Sequence, residues 1–171
     1  PLTHEKAIRI PQPPIPKKLR DPLNDWVKEM LNFGVIRPSR SPYNSPCLLV
    51  RKKTGEWRAV VDFRWLNKYL AHDPYPLPKI NELLTSLGPI NSTTFFTALD
   101  LLWGFFHIEL HEADKQKTAF TTPMGRFEYN RMPMGMKTAP AAFQRLVDLA
   151  ILQAMPYPTA CYIDDILLAS P

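Results

Sequence analysis

The chain has 171 residues, 45% of them hydrophobic, enough for one domain or two small subdomains with a buried core. It holds two cysteines, Cys47 and Cys161, and no apolar run of about 18 residues, so neither a disulfide framework nor a membrane span is expected. Its net charge of +5 divides unevenly: residues 1–68 carry a net +8 and residues 69–171 a net −3. Such a split suits a protein that grips phosphates with one part and holds cations with another, although chance segregation of solvated charge would look the same. No basic-then-apolar leader opens the chain, so secretion is not expected.

Residues 1–21 read as an extended arm, because Pro11, Pro13, Pro14 and Pro16 disfavour helix; Lys17, Lys18 and Arg20 add positive charge. Asp21-Pro22 reads as a helix start, with Asp as cap and Pro in the first position. Leu23, Trp26, Val27, Met30 and Leu31 recur at helical spacing as a core stripe, and Gly34 ends that helix. Residues 37–42 follow as a loop. Residues 47–52 and 57–61 flank the turn Lys53-Thr54-Gly55-Glu56 and are predicted to pair as a hairpin. Arg51, Lys52, Lys53 and Arg58 crowd one end of it. Cations there guard a sheet edge against aggregation or clamp a polyphosphate, and the hairpin alone fits both. Residues 62–68 form a helical turn and residues 73–78 a rigid extended segment. Residues 79–87 form a second helix with Ile80, Leu83, Leu84 and Leu87 on its apolar face, stopped by Gly88-Pro89.

The next strand is residues 95–100, with Asp100 at its end, and the chain then turns away with Gly104 as pivot. His107 and His111 read as ordinary surface groups or as supports to neighbouring side chains, since no further Cys or His partner stands at zinc-like spacing. A second hairpin, residues 118–122 and 126–131, folds around Pro123-Met124-Gly125, and residues 132–136 make a tight loop. Thr138 is expected to cap a long helix with Pro140 in its first turn. Its apolar face is Ala142, Phe143, Leu146, Val147, Ala150 and Ile151, and it ends near Met155-Pro156. The cysteines lie in strand-like runs and read as buried thiols.

Strand-like residues 160–163 and 166–169 bracket Asp164 and Asp165, which fits a hairpin with the acids at its tip. Consecutive strand residues point to opposite faces, so adjacent acids share one site only at a turn or strand end. Two carboxylates pressed together repel, and a divalent cation relieves the repulsion; hard oxygen donors suit magnesium or manganese. An isolated Asp-Asp pair also fits a solvated turn. Asp100, at the end of its own strand, is the candidate third acid.

The ordered set Trp57-Arg58-x-Val60-Val61-Asp62-Phe63-Arg64-x-Leu66-Asn67-Lys68, Tyr75-Pro76-Leu77-Pro78, Leu99-Asp100-Leu101, Met132-Pro133-x-Gly135, Ala139-Pro140-Ala141-x-Phe143-Gln144-Arg145 and Tyr162-Ile163-Asp164-Asp165 resembles reverse transcriptases. The resemblance is strongest to gypsy-type LTR retrotransposons and weaker to retroviruses, and it covers roughly residues 15–170. It implies an α+β, right-hand polymerase fold limited to fingers and palm, with an antiparallel palm sheet backed by helices. Residues 22–93 would be mainly fingers and 94–171 mainly palm, with the fingers hairpin 118–131 inserted. Asp100, Asp164 and Asp165 would be the catalytic carboxylates and, with the Leu101 carbonyl, would face Mg2+ or Mn2+. Lys52 and Arg58 match the finger cations that hold the incoming triphosphate. Phe105 matches the aromatic gate against a ribose 2′-hydroxyl, with simple core packing as the alternative. Met134 stands where retroviral relatives carry Gln, and Gly135 would let the backbone approach the nucleotide. Arg64 and Lys137 are template-backbone or structural cations.

The implied partners are a primed RNA or DNA template, deoxynucleotides, and the remaining Pol domains: thumb, ribonuclease H, integrase and protease. The implied location is intracellular, in a cytoplasmic virus-like particle. The chain stops just after the acid pair, so it is expected to be a fragment lacking thumb and ribonuclease H. Trp103 departs from the small or polar residue usual at that turn, which raises a decayed element copy. The alternatives are therefore a domesticated or decayed nucleic-acid-binding module without catalysis, and a two-metal nuclease, in which the finger cations and aromatic gate have no role.

Overall fold

The computed structural model describes residues 6–91 and 94–170; the first five residues of the expected arm lie outside them. In chain order the helices and strands are α1 Lys17–Asn32, β1 Ile36–Pro38, β2 Ser45–Arg51, β3 Trp57–Val61, α2 Arg64–Tyr69, α3 Ile80–Ser86, β4 Phe95–Asp100, α4 Glu112–Lys115, β5 Phe120–Thr122, β6 Gly125–Tyr129, α5 Ala139–Leu146, β7 Thr159–Tyr162 and β8 Asp165–Ser170. They form two compact units. One joins the chain up to Ala71 with Phe105–Lys137; the other joins His72–Gly104 with the chain from Thr138.

The first unit holds a five-stranded sheet in the order β1-β6-β5-β2-β3. The arm reaches it unhelical and is bolted to β2: Gln12 donates to the Cys47 carbonyl at 2.9 Å and accepts from the Cys47 amide at 2.7 Å. Helix α1 begins at Lys17, four residues ahead of the expected Asp21-Pro22 start, so Pro22 lies inside it. The proline run ends at Pro16, whose extended ψ of 140° suits a cap position. Lys17 to Arg20 are good helix formers, and they wind the first turn at the expense of the hydrogen bond Pro22 cannot donate. The stripe is as read: Leu23, Val27 and Met30 are buried. At its end Val35 donates to the Met30 carbonyl and Gly34 to that of Leu31, at 2.9 and 3.0 Å, the double bond of a Schellman motif.

The first hairpin forms as expected, and its register sets Cys47 opposite Val61 through Arg51 opposite Trp57. Residues 36–38, taken partly as loop, are instead strand β1, pairing with β6. Three residues are too few to show a period, and Pro38 is tolerated because β1 is an edge. The two hairpins join through a parallel contact of β2 with β5, Ser45 opposite Phe120. Phe120 centres the core, its ring 5.4 Å from Tyr129, 5.9 Å from Trp26 and 6.1 Å from Phe127.

The second unit holds an antiparallel sheet in the order β4-β8-β7. Leu87 packs with Ala160 and Ala169, flanked by Leu83 and Leu167. The rest of α3's expected apolar face is uncovered, with Ile80 at 67% and Leu84 at 53% exposure, because seven residues reach the sheet only with their last turns. The long helix after Thr138 is also corrected. Thr138 makes no side-chain cap bond. Regular α-helix stops at Leu146, and Val147–Ile151 widen into a π-helix before Leu152–Ala154 tighten to 3₁₀. The wider turn rotates the stripe, leaving Ala150 exposed; the Ile151 side chain lies outside the described residues.

Candidate active site

Strand β8 lies between the other two strands of its sheet, and this placement assembles the acids. Asp100 at the end of β4 stands opposite Asp165 at the start of β8, which also pairs with Tyr162 at the end of β7. Directly opposed residues of antiparallel strands have Cβ atoms about 4.5–5.5 Å apart. Residues 65 positions distant in sequence thus become neighbours through backbone pairing alone. The Leu101 amide then donates to the Asp164 carbonyl at 3.2 Å, carrying the contact one residue past the strand.

The hairpin turn is Ile163-Asp164, one residue ahead of the expected Asp164-Asp165 tip because Asp165 already pairs with Tyr162, with Ile163 at φ +57° and Asp164 outside the positive region. A positive φ at the first loop residue alone is the mark of a type II′ turn, a place normally given to glycine. In a β-branched residue it costs about 1–3 kcal/mol and persists only when its surroundings hold it. They do. The Ile163 amide donates to Gln144 Oε1 at 3.3 Å, Gln144 Nε2 donates to Asp148 Oδ1 at 2.9 Å, and the Tyr75 hydroxyl donates to Asp148 Oδ2 at 2.6 Å. Gln144 is 1% exposed, so its amide has no water to turn to. Asp148 sits in the π-helical stretch just after α5. The hydrogen bond to Asp148 holds the Tyr75 proton and raises its pKa. Arg145 stacks over the Tyr75 ring at 4.8 Å and pairs with Asp73 at 2.8 Å. This support was missed in the sequence; the available signal was a Gln and an Asp one helical turn apart beside an apolar stripe.

Gly104 answers to space. A Cβ there would meet the Phe143 ring at 3.0 and 3.2 Å and the Asp164 Cβ at 3.4 Å, so a side chain would push on the turn that carries Asp164. Trp103, the departure from the family pattern, has φ +57°, a second strained backbone next to the acids.

Asp100 and Asp165 are exposed and Asp164 is half-buried. Among the described residues no three His, Cys, Asp or Glu side chains are drawn together tightly enough to hold a metal by themselves. The donor set still fits a hard divalent cation: carboxylates only, register-paired, and open to solvent.

The other candidate residues lie in the first unit. Lys52 pairs with Glu56 at 3.1 Å across the hairpin turn and pulls the Glu56 carboxyl below its usual range. Arg58 is exposed and its guanidinium meets the Met134 sulfur. Gly135 has φ +88°, and its carbonyl accepts from Asn67 Nδ2 at 2.8 Å while Asn67 Oδ1 accepts from the Lys137 amide at 2.9 Å. Asn67 thereby clamps the 135–137 loop, a role its place in the motif did not reveal. Arg64 forks onto Asp62, with its nearest contact at 2.7 Å, which makes it structural in this state. Phe105 lies in the 3₁₀ turn Gly104–His107, and its carbonyl accepts from the Ile108 amide at 3.2 Å. His111 caps α4, accepting from the Ala113 amide at 3.3 Å. Burial pushes the Cys47 thiol up to about 12 and Cys161 to about 11, so both stay protonated and unreactive, as read.

Residues 50–171 match the family model described as reverse transcriptase (RNA-dependent DNA polymerase). The chain is 44% identical to the retrovirus-related Pol polyprotein from transposon opus of Drosophila melanogaster, over 92% of this chain and 16% of the relative. It is 40% identical to that from transposon gypsy of the same organism, over 88% and 15%. The Tf2-3 polyprotein of Schizosaccharomyces pombe is 40% identical over 99% and 12%. Among solved structures, prototype foamy virus protease-reverse transcriptase aligns with a TM-score of 0.82 at 28% identity, covering 97% of this chain and 22% of that one. The foamy viral enzyme in complex with RNA/DNA hybrid aligns at 0.81 and 25% identity, covering 99% and 22%. The chain therefore spans a sixth or less of the curated relatives' length. No described helix is long and apolar enough to cross a membrane.

Proposed function

The chain belongs to the reverse transcriptase family, and on that premise we propose that it is the fingers and palm portion of an RNA-directed DNA polymerase, working within the Pol polyprotein of an LTR retrotransposon. Residues 22–93 are mainly fingers and residues 94–171 mainly palm, with the fingers hairpin 118–131 inserted. The observation that carries this reading is the pairing of Asp100 with Asp165 beside the strained Ile163-Asp164 turn.

Asp100, Asp164 and Asp165, with the Leu101 carbonyl, would hold two Mg2+ or Mn2+ ions. When bound, the ions supply a lowered proton affinity at the attacking 3′-hydroxyl and charge compensation at the pyrophosphate leaving group. The rest falls to the protein's own groups, and in phosphoryl transfer that is mainly positioning. Gln144, held by Asp148 and Tyr75, fixes the Ile163 amide and with it the direction of Asp164. Lys52 and Arg58 orient the triphosphate of a deoxynucleotide. Arg58 would exchange its soft contact with the Met134 sulfur for phosphate oxygens, which guanidinium binds far better. Phe105 excludes a ribose 2′-hydroxyl by bulk. Gly135, on a loop clamped by Asn67, lies beside the nucleotide.

The partners are a primed RNA or DNA template and the thumb, ribonuclease H, integrase and protease segments of the polyprotein, assembled in a cytoplasmic virus-like particle. Primer extension by the full-length protein tests the reading. Asp100→Asn or Asp164→Asn should abolish incorporation while leaving thermal unfolding unchanged, and normal extension by either variant sinks it.

A further inference from the structure

The arm and the second hairpin enclose a cleft of about 490 Å³, lined by Arg9, Ile10, Asn44, Thr121 and Arg126 together with the Pro11-Gln12 pair. It lies wholly within the first unit, and none of its lining residues is assigned above to nucleotide or metal. Its walls are fixed. Arg9 bridges to Asn44 in parallel, the Ile10 amide donates to the Asn44 carbonyl at 2.8 Å, and Asn44 Nδ2 returns a bond to the Ile10 carbonyl at 2.6 Å. Thr121 Oγ1 closes the floor by donating to Asn44 Oδ1 at 2.6 Å.

Two guanidinium groups line this space and, among the described residues, no carboxylate does. Arg126 is half-buried: its Nη2 donates to the Tyr43 carbonyl, and its Nε is buried without an acceptor among the described residues. A partly desolvated charge with no counter-ion is unfavourable, and a buried donor without a partner adds to the cost. An anion in the cleft relieves both. Arg9 is exposed at the rim, where it adds a second charge without such a penalty. Two planar forks on one rigid wall suit a phosphate oxygen pair better than a lone carboxylate does.

We propose that this cleft binds a backbone phosphate of the single-stranded template, independently of the metal. The inference rests on the polymerase reading and adds to it a named contact outside the catalytic machinery. The strand is favoured over a free anion because the surrounding 68-residue stretch carries a net +8, a field suited to a polyanion.

The test is the salt dependence of binding of a fluorescein-labelled single-stranded oligouridine to the full-length protein, by anisotropy without divalent metal. Arg9→Gln and Arg126→Gln should each lower the slope of log K against log salt by about 0.7, the share of one single-strand phosphate contact. Arg126→Gln should also leave the thermal midpoint equal or higher, because it removes an uncompensated charge. Wild-type slopes and affinities in both variants overturn the proposal. So does a midpoint raised by inorganic phosphate in wild type but not in Arg126→Gln with unchanged oligouridine slopes, the mark of a free-anion pocket. If the wild-type protein fails to bind the oligonucleotide at all, the polymerase reading fails with it, and that result differs from indifferent variants.

Discussion

The two units are stabilised in different ways. The first is built around aromatic rings: Phe63 and Phe120 are fully buried, and Trp26, Phe127 and Tyr129 close around them. Long-range ion pairs tie its edge strand β1 in, with Arg37 reaching Glu128 of β6 at 2.8 Å and also Glu112 of α4. The second unit has a small cluster of Leu87, Ala160 and Ala169, and every residue of β4 is exposed. Its pairing rests on backbone hydrogen bonds more than on side-chain burial. It also carries both non-glycine residues of positive φ among those described, Trp103 and Ile163. Strain and exposed carboxylates sit where chemistry is proposed, and close-packed rings sit where rigidity suffices.

The contrast can be broken by mutation, and the largest effect belongs to the acids. Asp165→Asn should cost on the order of a thousandfold in primer extension with no loss of folding stability. An equal loss of stability would mean that the carboxylate has a structural role. In the first unit Phe120→Ala should do the opposite, lowering unfolding stability by about 3–5 kcal/mol in a urea titration. At saturating urea-free conditions, whatever protein remains folded should keep its turnover. Gln144→Met lies between these cases. It leaves the Ile163 amide and one Asp148 oxygen unpaired, a cost of about 1–3 kcal/mol. It should lower kcat more than it raises the KM for deoxynucleotide, because the turn carrying Asp164 loses its direction. A change in KM alone would place Gln144 outside the catalytic support.

The smallest effect is on pH dependence. The hydrogen bonds from Arg37 and then Lys115 hold the Glu112 carboxyl down at about 2, against an ordinary 4.5. A depressed folded value means that this contribution is present above the ordinary range and is lost as pH falls from about 4.5 towards 2. Arg37→Gln should therefore flatten the acid limb of the melting-temperature profile in that window and leave the neutral region nearly unmoved.

Legibility differed in the same way. The α1 stripe, the Cys47 to Val61 hairpin, the strand ending in Asp100 and the hairpin around Asp164-Asp165 could all be read from local pattern. Their periods and turn residues are short-range properties. The α1 start was misplaced because a cap signal at Asp21-Pro22 competed with good helix formers just before it. Strand β1 was missed because three residues show no period, and the π-helix after Leu146 because nothing local marks a widened turn. Gln144 and Asp148 stand one helical turn apart, but their links to Tyr75 and Ile163 cross distant segments and leave no local mark.

The amino-acid order alone determined which residues are acids, where strands end and where chains must turn, because those follow from side-chain chemistry and backbone sterics within a few positions. Only the tertiary structure decided that β8 lies between β4 and β7, that β2 joins β5 in parallel, and that a buried glutamine holds a strained isoleucine. These are choices among long-range pairings. Their free energy comes from shared burial and backbone hydrogen bonds rather than from any local preference.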